Sequence, residues 1–316
     1  MSKVRILFLG TPEFAAESLR VLLADDHFEV AGVVTQPDRP AGRKMRTQPS
    51  AVKQVAEAAG LRVFSPSTVN TPEFRAEVAA LKCEAGAVVA FGQILGQKFL
   101  DLFPHGCVNV HGSLLPRWRG AAPIQRALMA GDAETGVALQ VVVRKLDAGD
   151  VLGVRRVAVP EDMNALELHD RLMVLGAELL HIEFMDWLRG NLVPLAQDER
   201  AVTLASKIDK AEARIEWAGP ARRIHDLVRG LAMGPFAYCV RDGQPLKIHR
   251  TQPLEAYPLP EGALPGTVVG VEAERVLLAC SQGALAVLDV QPESRTRQTV
   301  ASYLRGYPVR VGDRFE

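Results

Sequence analysis

Asn109, His111 and Asp147 are the residues whose types and surroundings offer chemistry. Asn109-Val110-His111 ends the apolar run Cys107 to His111 and leads directly into Gly112-Ser113-Leu114-Leu115-Pro116-Arg117-Trp118-Arg119-Gly120. Side chains two apart on a strand point to the same face, so Asn109 and His111 emerge together while Val110 packs the other way. An amide NH₂ and a protonated imidazole are both donors, and two convergent donors suit an oxygen that turns negative as a carbonyl is attacked. An imidazole also takes and returns protons near neutral pH. A histidine used in this way wants an orienting carboxylate. Lys145-Leu146-Asp147-Ala148-Gly149-Asp150 supplies Asp147 and Asp150 in a glycine-containing turn. The plainer alternative is a pair of satisfied polar residues at a strand end beside an ordinary acidic turn. His27, His105, His169, His181, His225 and His249 show no metal-ligand spacing and read as structural or surface residues.

Such a strand end needs a sheet to position it. Val4 to Leu9 is nearly continuous apolar, Gly10 and Pro12 turn the chain, and Phe14, Ser18, Leu19, Leu22 and Leu23 follow at helical intervals. Phe28 to Thr35, Ala85 to Phe91 and Cys107 to His111 repeat the strand signal, with Ser50 to Ala59 helical between them. Strands buried on both faces read this way, which predicts an α/β domain with a mostly parallel sheet. The first strand-turn lacks G-x-G-x-x-G, because Pro12 stands where a glycine must let the backbone approach a pyrophosphate, so dinucleotide binding is disfavoured.

Gln36 to Pro49 is a long basic loop with Arg39, Arg43, Lys44 and Arg46, and loops of that length in a compact domain are functional or disordered. Asp162 is expected to open a long helix that Gly190-Asn191 stops, and Asn191 to Ala205 reads as a linker. After a short helix near Ala218 to Leu231, strand-like pieces at Phe236 to Arg241, Leu246 to Thr251, Gly266 to Val271, Arg275 to Cys280 and Ala284 to Val290 predict a small barrel. The expected domains are 1–190, a linker 191–205, and a barrel 206–316.

Composition narrows the partners. The chain has 316 residues, more than a single core usually supports. With 37 basic and 37 acidic residues, any polyanionic partner must be met by a local patch. The four cysteines lie far apart without ligand spacing, so neither a disulfide framework nor a zinc site is expected. The opening MSKVRILFLG is too short in its apolar run for a signal peptide and reads as a strand, and no stretch is apolar enough to span a bilayer. A cytoplasmic monomer without metal or membrane is expected.

The block Asn109 to Gln125 (NVHGSLLPRWRGAAPIQ), together with Leu7 to Ala15 (LFLGTPEFA), Gln36 to Arg43 (QPDRPAGR), Val88 to Leu95 (VVAFGQIL), Leu146 to Asp150 (LDAGD) and Lys207 to Trp217 (KIDKAEARIEW), resembles the folate-dependent formyltransferases. The PDRPAGR loop and the KIDK segment resemble the branch that formylates methionyl-tRNA. The likeness implies a Rossmann-like formyltransferase domain followed by an OB-like barrel. It implies transfer of the formyl group of 10-formyltetrahydrofolate to the α-amino group of methionine on initiator tRNA. By position it makes Asn109, His111 and Asp147 the catalytic trio, with Asp147 either orienting His111 or accepting a proton. The folate would lie along Ser113, Leu114, Leu115 and Pro116 and the strand end that carries Phe91 and Ile94. Arg43 and Lys44 would meet the tRNA, as would Lys207 and Lys210, while Trp118 and Arg119 would fix the loop after His111.

The chain departs from the family pattern at Gly96 (usually proline), at Ala148 (usually threonine), at Ala232-Met233-Gly234-Pro235, and near Gln291. These departures fall more on the barrel than on the cleft, so they bear on tRNA binding more than on formyl transfer. A sugar-nucleotide formyltransferase, or a hydrolase of the same folate, would keep the Asn, His and Asp chemistry and change only what attacks the formyl carbon.

Overall fold

In the computed structural model, residues 3–41 and 46–316 are described, with backbone alone at 39–41 and 46–47. Two compact units form. One comprises Met1–Gly120, Thr135–Val157 and His169–Leu204; the other comprises Ala121–Glu134, Ala158–Leu168 and Ala205–Glu316.

The first unit is built on a seven-stranded sheet. From one edge the strands run Val63–Phe64, Phe28–Val34, Val4–Gly10, Ala85–Val89, Cys107–His111, Glu134–Val141 and Val151–Ala158. The first five of these pair in parallel, and the sixth joins Cys107–His111 antiparallel. Ile6, Leu7, Phe8 and Leu9 are all fully buried, which is why the opening strand reads as an unbroken apolar run rather than an alternation. Gly86 permits close strand approach, since a Cβ there would stand 2.5 Å from Cys107 Sγ.

Helix ends follow local chemistry. Ser50 Oγ accepts from Lys53 N at 3.1 Å and starts Ala51–Ala58. The long helix is Ala165–Leu188, and its cap is Asn164 rather than the expected Asp162. Asn164 Oδ1 accepts from the backbone N–H of Leu166 and of Glu167, while Glu167 Oε2 accepts from Asn164 N at 2.9 Å, a reciprocal capping box. Gly190, at φ +74°, ends that helix as its sequence predicts. The stretch Gln36 to Pro49 contains a short hairpin, Arg39–Ala41 against Arg46–Gln48. Three residues on each side are too few for an alternating pattern to be legible.

The second unit carries an antiparallel sheet in the order Tyr238–Arg241, Gln244–Leu254, Ala284–Pro292, Val276–Ala279, Val268–Val271, with Gln298–Thr299 paired to Ala284–Pro292. Each predicted strand piece is present. The chain's last residues join its two edges: Val240 and Glu316 exchange backbone hydrogen bonds at 2.6 and 2.8 Å, while Phe315 N donates to Gly266 O and Val268 N to Asp313 O. Backbone bonds from the chain's end to both edges curl the sheet into an OB-like half-barrel. Its core includes Trp217, Ile248, Leu278, Leu285 and Val287.

Helices Pro123–Met129 and Ala221–Gly230 pack tightly within this unit, where a Cβ on Gly230 would lie 2.7 Å from Met129 Cγ. No helix among the described residues is long and apolar enough to cross a membrane.

Candidate active site

Sheet register brings the polar residues together. Asn109 lies directly opposite Gln140 on the antiparallel neighbour, and His111 lies opposite Ala138. Asn109, His111 and Gln140 therefore share one face. The turn after Val143 folds Asp147 back towards His111, leaving Asp147 Oδ2 3.7 Å from His111 Nδ1. That turn requires glycine at 149, where a Cβ would stand 1.7 Å from the Val141 carbonyl. Asp150, the other candidate carboxylate, is exposed.

His111 is 6% exposed, and its Nε2 lies 2.8 Å from the carbonyl of Trp118. A carbonyl oxygen only accepts, so Nε2 carries a proton and Nδ1 is the working nitrogen, facing Asp147. The carboxylate is itself fixed. Gly120 N donates to Oδ2 at 2.9 Å and Gln140 Nε2 donates to Oδ1 at 3.1 Å. The half-buried Asn109 side chain makes no hydrogen bond to another described residue, so its amide is available.

Six described non-glycine residues adopt left-handed backbone, and three of them follow the strands that carry the site: Ala90 at φ +45°, Trp118 at φ +64° and Asp147 at φ +47°. Such conformations persist only where the surroundings impose them, and they gather at functional sites. For Trp118 the restraint is visible. Its N–H donates to Thr203 Oγ1 at 2.9 Å, its carbonyl accepts from His111, and Arg117 stacks on its ring at 4.4 Å. Arg119, 3% exposed, bonds Gln197 and Glu199. Trp118 and Arg119 thus shape the loop. Lys145 and Arg119 hold the Glu199 carboxyl below the usual range, Lys145 contributing most.

The expected folate-side residues divide. Ser113 is fully buried, and its hydroxyl donates to the Arg117 carbonyl at 2.6 Å, closing the turn. Leu115 is buried, Leu114 and Pro116 are half-buried, and Leu115-Pro116 is cis. The Phe91 ring packs in the core while its carbonyl accepts from Thr11 Oγ1 and from Gln36 Nε2. Ile94, by contrast, is 80% exposed.

Of the expected tRNA-side residues, Arg43 and Lys44 lie outside the described residues. Lys207 and Lys210 are exposed. Their segment is anchored by its acidic members: Arg126 grips Glu212 with two nitrogens at 2.6 and 2.9 Å, which draws the Glu212 carboxyl below its ordinary range. Asp209 and Glu212 also form a capping box around Lys210–Ala213. The acidic side chains are consumed in holding the segment, and the lysines are left to solvent. Among the described residues no group of His, Cys, Asp and Glu could hold a metal ion.

Two site residues carried little sequence signal. Gln140, 2% exposed, is the one polar residue in the run Val137 to Val143, and that isolation was its only mark. Gln197 sits in the stretch after the long helix, where no periodicity marks any position. Its amide nevertheless donates to the carbonyls of Asp147 and Gly149.

Comparison with known proteins identifies the family. The formyl transferase family model matches residues 3–182, and the formyl transferase C-terminal domain model matches residues 207–308. Methionyl-tRNA formyltransferase of Bdellovibrio bacteriovorus is 54% identical over 314 residues, covering 99% of each chain. The enzyme of that name from Symbiobacterium thermophilum is 46% identical, covering 99% of this chain and 95% of its own. Among solved structures, an N-formyltransferase from Helicobacter canadensis, in complex with folinic acid and dTDP-3-aminofucose, matches with a TM-score of 0.68 at 16% identity, covering 92% of this chain and 99% of that one. At that identity the likeness is one of fold. The sequence matches extend over nearly the whole chain, and the Asn, His and Asp arrangement lies at the carboxyl end of an interior strand of its sheet, so the chain belongs to the formyl transferase family, in the methionyl-tRNA formyltransferase branch.

Proposed function

We propose that this chain transfers the formyl group of 10-formyltetrahydrofolate to the α-amino group of methionine esterified to initiator tRNA. One observation carries the chemistry: His111 commits Nε2 to the Trp118 carbonyl and turns Nδ1 towards Asp147, beside an uncommitted Asn109 amide. The donor set fits a formyl carbonyl. As the neutral amine forms the new C–N bond, charge builds on the formyl oxygen, where Asn109 and protonated His111 donate to it. The bond from the formyl carbon to the folate nitrogen then breaks. One proton leaves the attacking amine and one is returned to the departing nitrogen, and Asp147 with His111 forms the group that moves it, directly or through one water.

The folate is bound along Ser113 to Pro116 and the strand end from Val88 to Leu95, with apolar side chains covering the ring and backbone groups reading its edge. Arg43, Lys44, Lys207 and Lys210 meet tRNA phosphates. Contacts of that kind give affinity and position, so discrimination falls to the shape of the acceptor end. The setting is the cytoplasm, and the enzyme works as a monomer without metal.

The test gives the protein 10-formyltetrahydrofolate with three acceptors in parallel: methionyl initiator tRNA, an amino-sugar nucleotide, and water alone. Formylation of the charged tRNA alone is expected. Formylation of the sugar, or formate release without an acceptor, would preserve the roles of Asn109, His111 and Asp147 and overturn the assignment of the acceptor.

A further inference from the structure

Asp147 has to be held in a backbone region that side chains normally avoid, and two glutamine amides do the holding. Gln197 Nε2 donates to the carbonyls of Asp147 at 2.9 Å and of Gly149 at 2.6 Å, so one amide ties together both ends of the left-handed turn. Its Oε1 accepts from Arg119 Nε at 3.0 Å, which fixes which way round the amide sits, because a flip would point its NH₂ at that N–H and its oxygen at the two carbonyls. Gln140 completes the chain. Its Nε2 donates to Asp147 Oδ1 at 3.1 Å, and its Oε1 receives Gln197 Nε2 at 3.4 Å. A polar group buried in an apolar strand is costly unless its ends find partners; here Nε2 has Asp147 Oδ1, and Oε1 has the longer approach of a Gln197 amide whose two protons are shared with the turn carbonyls.

We propose that Gln140 and Gln197 are positioning residues for the transfer reaction: Gln197 fixes the turn that carries Asp147, and Gln140 rotates its carboxylate so that Oδ2 faces His111 Nδ1. Neither residue touches the reacting atoms. The stretch after the long helix is thereby a working part of the site and not a slack connection. The charged groups facing the turn are His111, together with Arg119 and Lys145, both of which bond Glu199. Arg144 and Asp150 flank the turn on its exposed side. Replacing Gln140 leaves the contacts of all of these in place; replacing Gln197 also removes the partner of Arg119 Nε, so Gln140 gives the cleaner test.

The inference rests on the formyl-transfer reading for its turnover measurements, and one readout is independent of turnover. Gln140→Leu and Gln197→Met keep volume and remove the donors; each is expected to lower kcat by about 10- to 100-fold, with KM for folate and tRNA little changed, as for a misplaced catalytic group. Gln140→Glu sets a second carboxyl against Asp147 Oδ1. It should move the acidic limb of the kcat–pH profile upward by about one pH unit, because two neighbouring carboxylates resist joint ionisation. A crystal structure of Gln140→Leu should show the Asp147 carboxylate turned away from its 3.7 Å approach to His111 Nδ1. Circular-dichroism melting gives the folded fraction. If kcat losses merely track that fraction and the Asp147 carboxylate keeps its approach to His111 in the variant, the proposal is overturned. If the wild-type protein formylates no charged tRNA, the functional reading fails instead, and the Asp147–His111 geometry of the variant alone still decides the positioning role.

Discussion

His111 and His225 are buried to nearly the same degree, at 6% and 5% exposure, yet they serve different ends. Each ring faces a backbone carbonyl with Nε2, Trp118 at 2.8 Å for His111 and Glu161 at 2.9 Å for His225, so both carry that proton. The other nitrogen separates them. His225 Nδ1 lies 3.0 Å from Thr251 Oγ1, a hydroxyl that donates to the ring and leaves it nothing to do. Burial, the largest influence, holds His225 below its ordinary pKa. His111 Nδ1 faces a carboxylate at 3.7 Å, too far for a hydrogen bond of its own and near enough to pass a proton once a substrate group or a water lies between. A histidine with every valence satisfied is part of the fold. One with a single nitrogen unspent beside a fixed carboxylate is left available for chemistry.

The largest test of that contrast is His111→Ala. It should lower kcat per folded molecule by about 10²- to 10⁴-fold, the usual worth of a positioned acid or base, and leave folate affinity close to wild type, with a stability loss of about 1–3 kcal/mol from the unpaired Trp118 carbonyl. Loss of folate binding in equal measure would place the ring in recognition and not in the chemical step. Asn109→Ala should cost somewhat less, about 10²- to 10³-fold in kcat, as removal of one oxyanion donor does. Because its amide is not spent on the protein, folding should be indifferent to the change. A stability loss above about 1 kcal/mol in equilibrium unfolding would show that the amide is structural after all.

The fold was legible where burial dictates residue type. Ile6 to Leu9 and Ala85 to Val89 are buried on both faces and had to be apolar, and in the barrel Gln244–Leu254 alternates over much of its length because it has one inner face, while Val276–Ala279 is buried throughout. Asn109 and His111 were legible for a related reason: two polar side chains at the end of an apolar strand need a partner or a purpose. Asp147 could be found only as one of two acids in a turn, since choosing between it and Asp150 depends on which one the turn folds inward. Gln197 could not be found at all. Its role depends on contacts with Asp147 and Arg119, some 50 and 78 residues away in sequence, and no local pattern encodes such a separation.

On the structural side of the comparison, His225→Ala should destabilise the protein by about 1–3 kcal/mol, because the buried Thr251 hydroxyl is left without its partner and the packing of a buried ring is lost. Formyl transfer per folded molecule should stay within about 2-fold of wild type, which is the readout that separates it from His111→Ala. A fall in kcat with no change in the unfolding midpoint would break the comparison, since it would give the barrel-side histidine a share in the chemistry.

The smallest expected effect is the pH dependence that the same ring imposes on stability. A base whose pKa is lower in the folded than in the unfolded state binds fewer protons when folded, so unfolding takes up a proton in the intervening range. The stability that neutral His225 contributes is therefore complete above its unfolded value, about 6.5, and is lost as pH falls below that point towards the folded value. One such group changes stability by at most about 1.4 kcal/mol per pH unit. Denaturant midpoints of wild type and His225→Gln, measured from pH 7.5 to pH 5, isolate this contribution, because every other titrating group is common to both chains. Wild type should lose more stability than the variant on acidification, with the divergence beginning near pH 6.5. Parallel curves would mean that the protonated ring is accommodated between Thr251 and Glu161, the hydroxyl rotating to accept from Nδ1; the satisfied hydrogen bonds and not the charge state would then be what distinguishes His225 from His111.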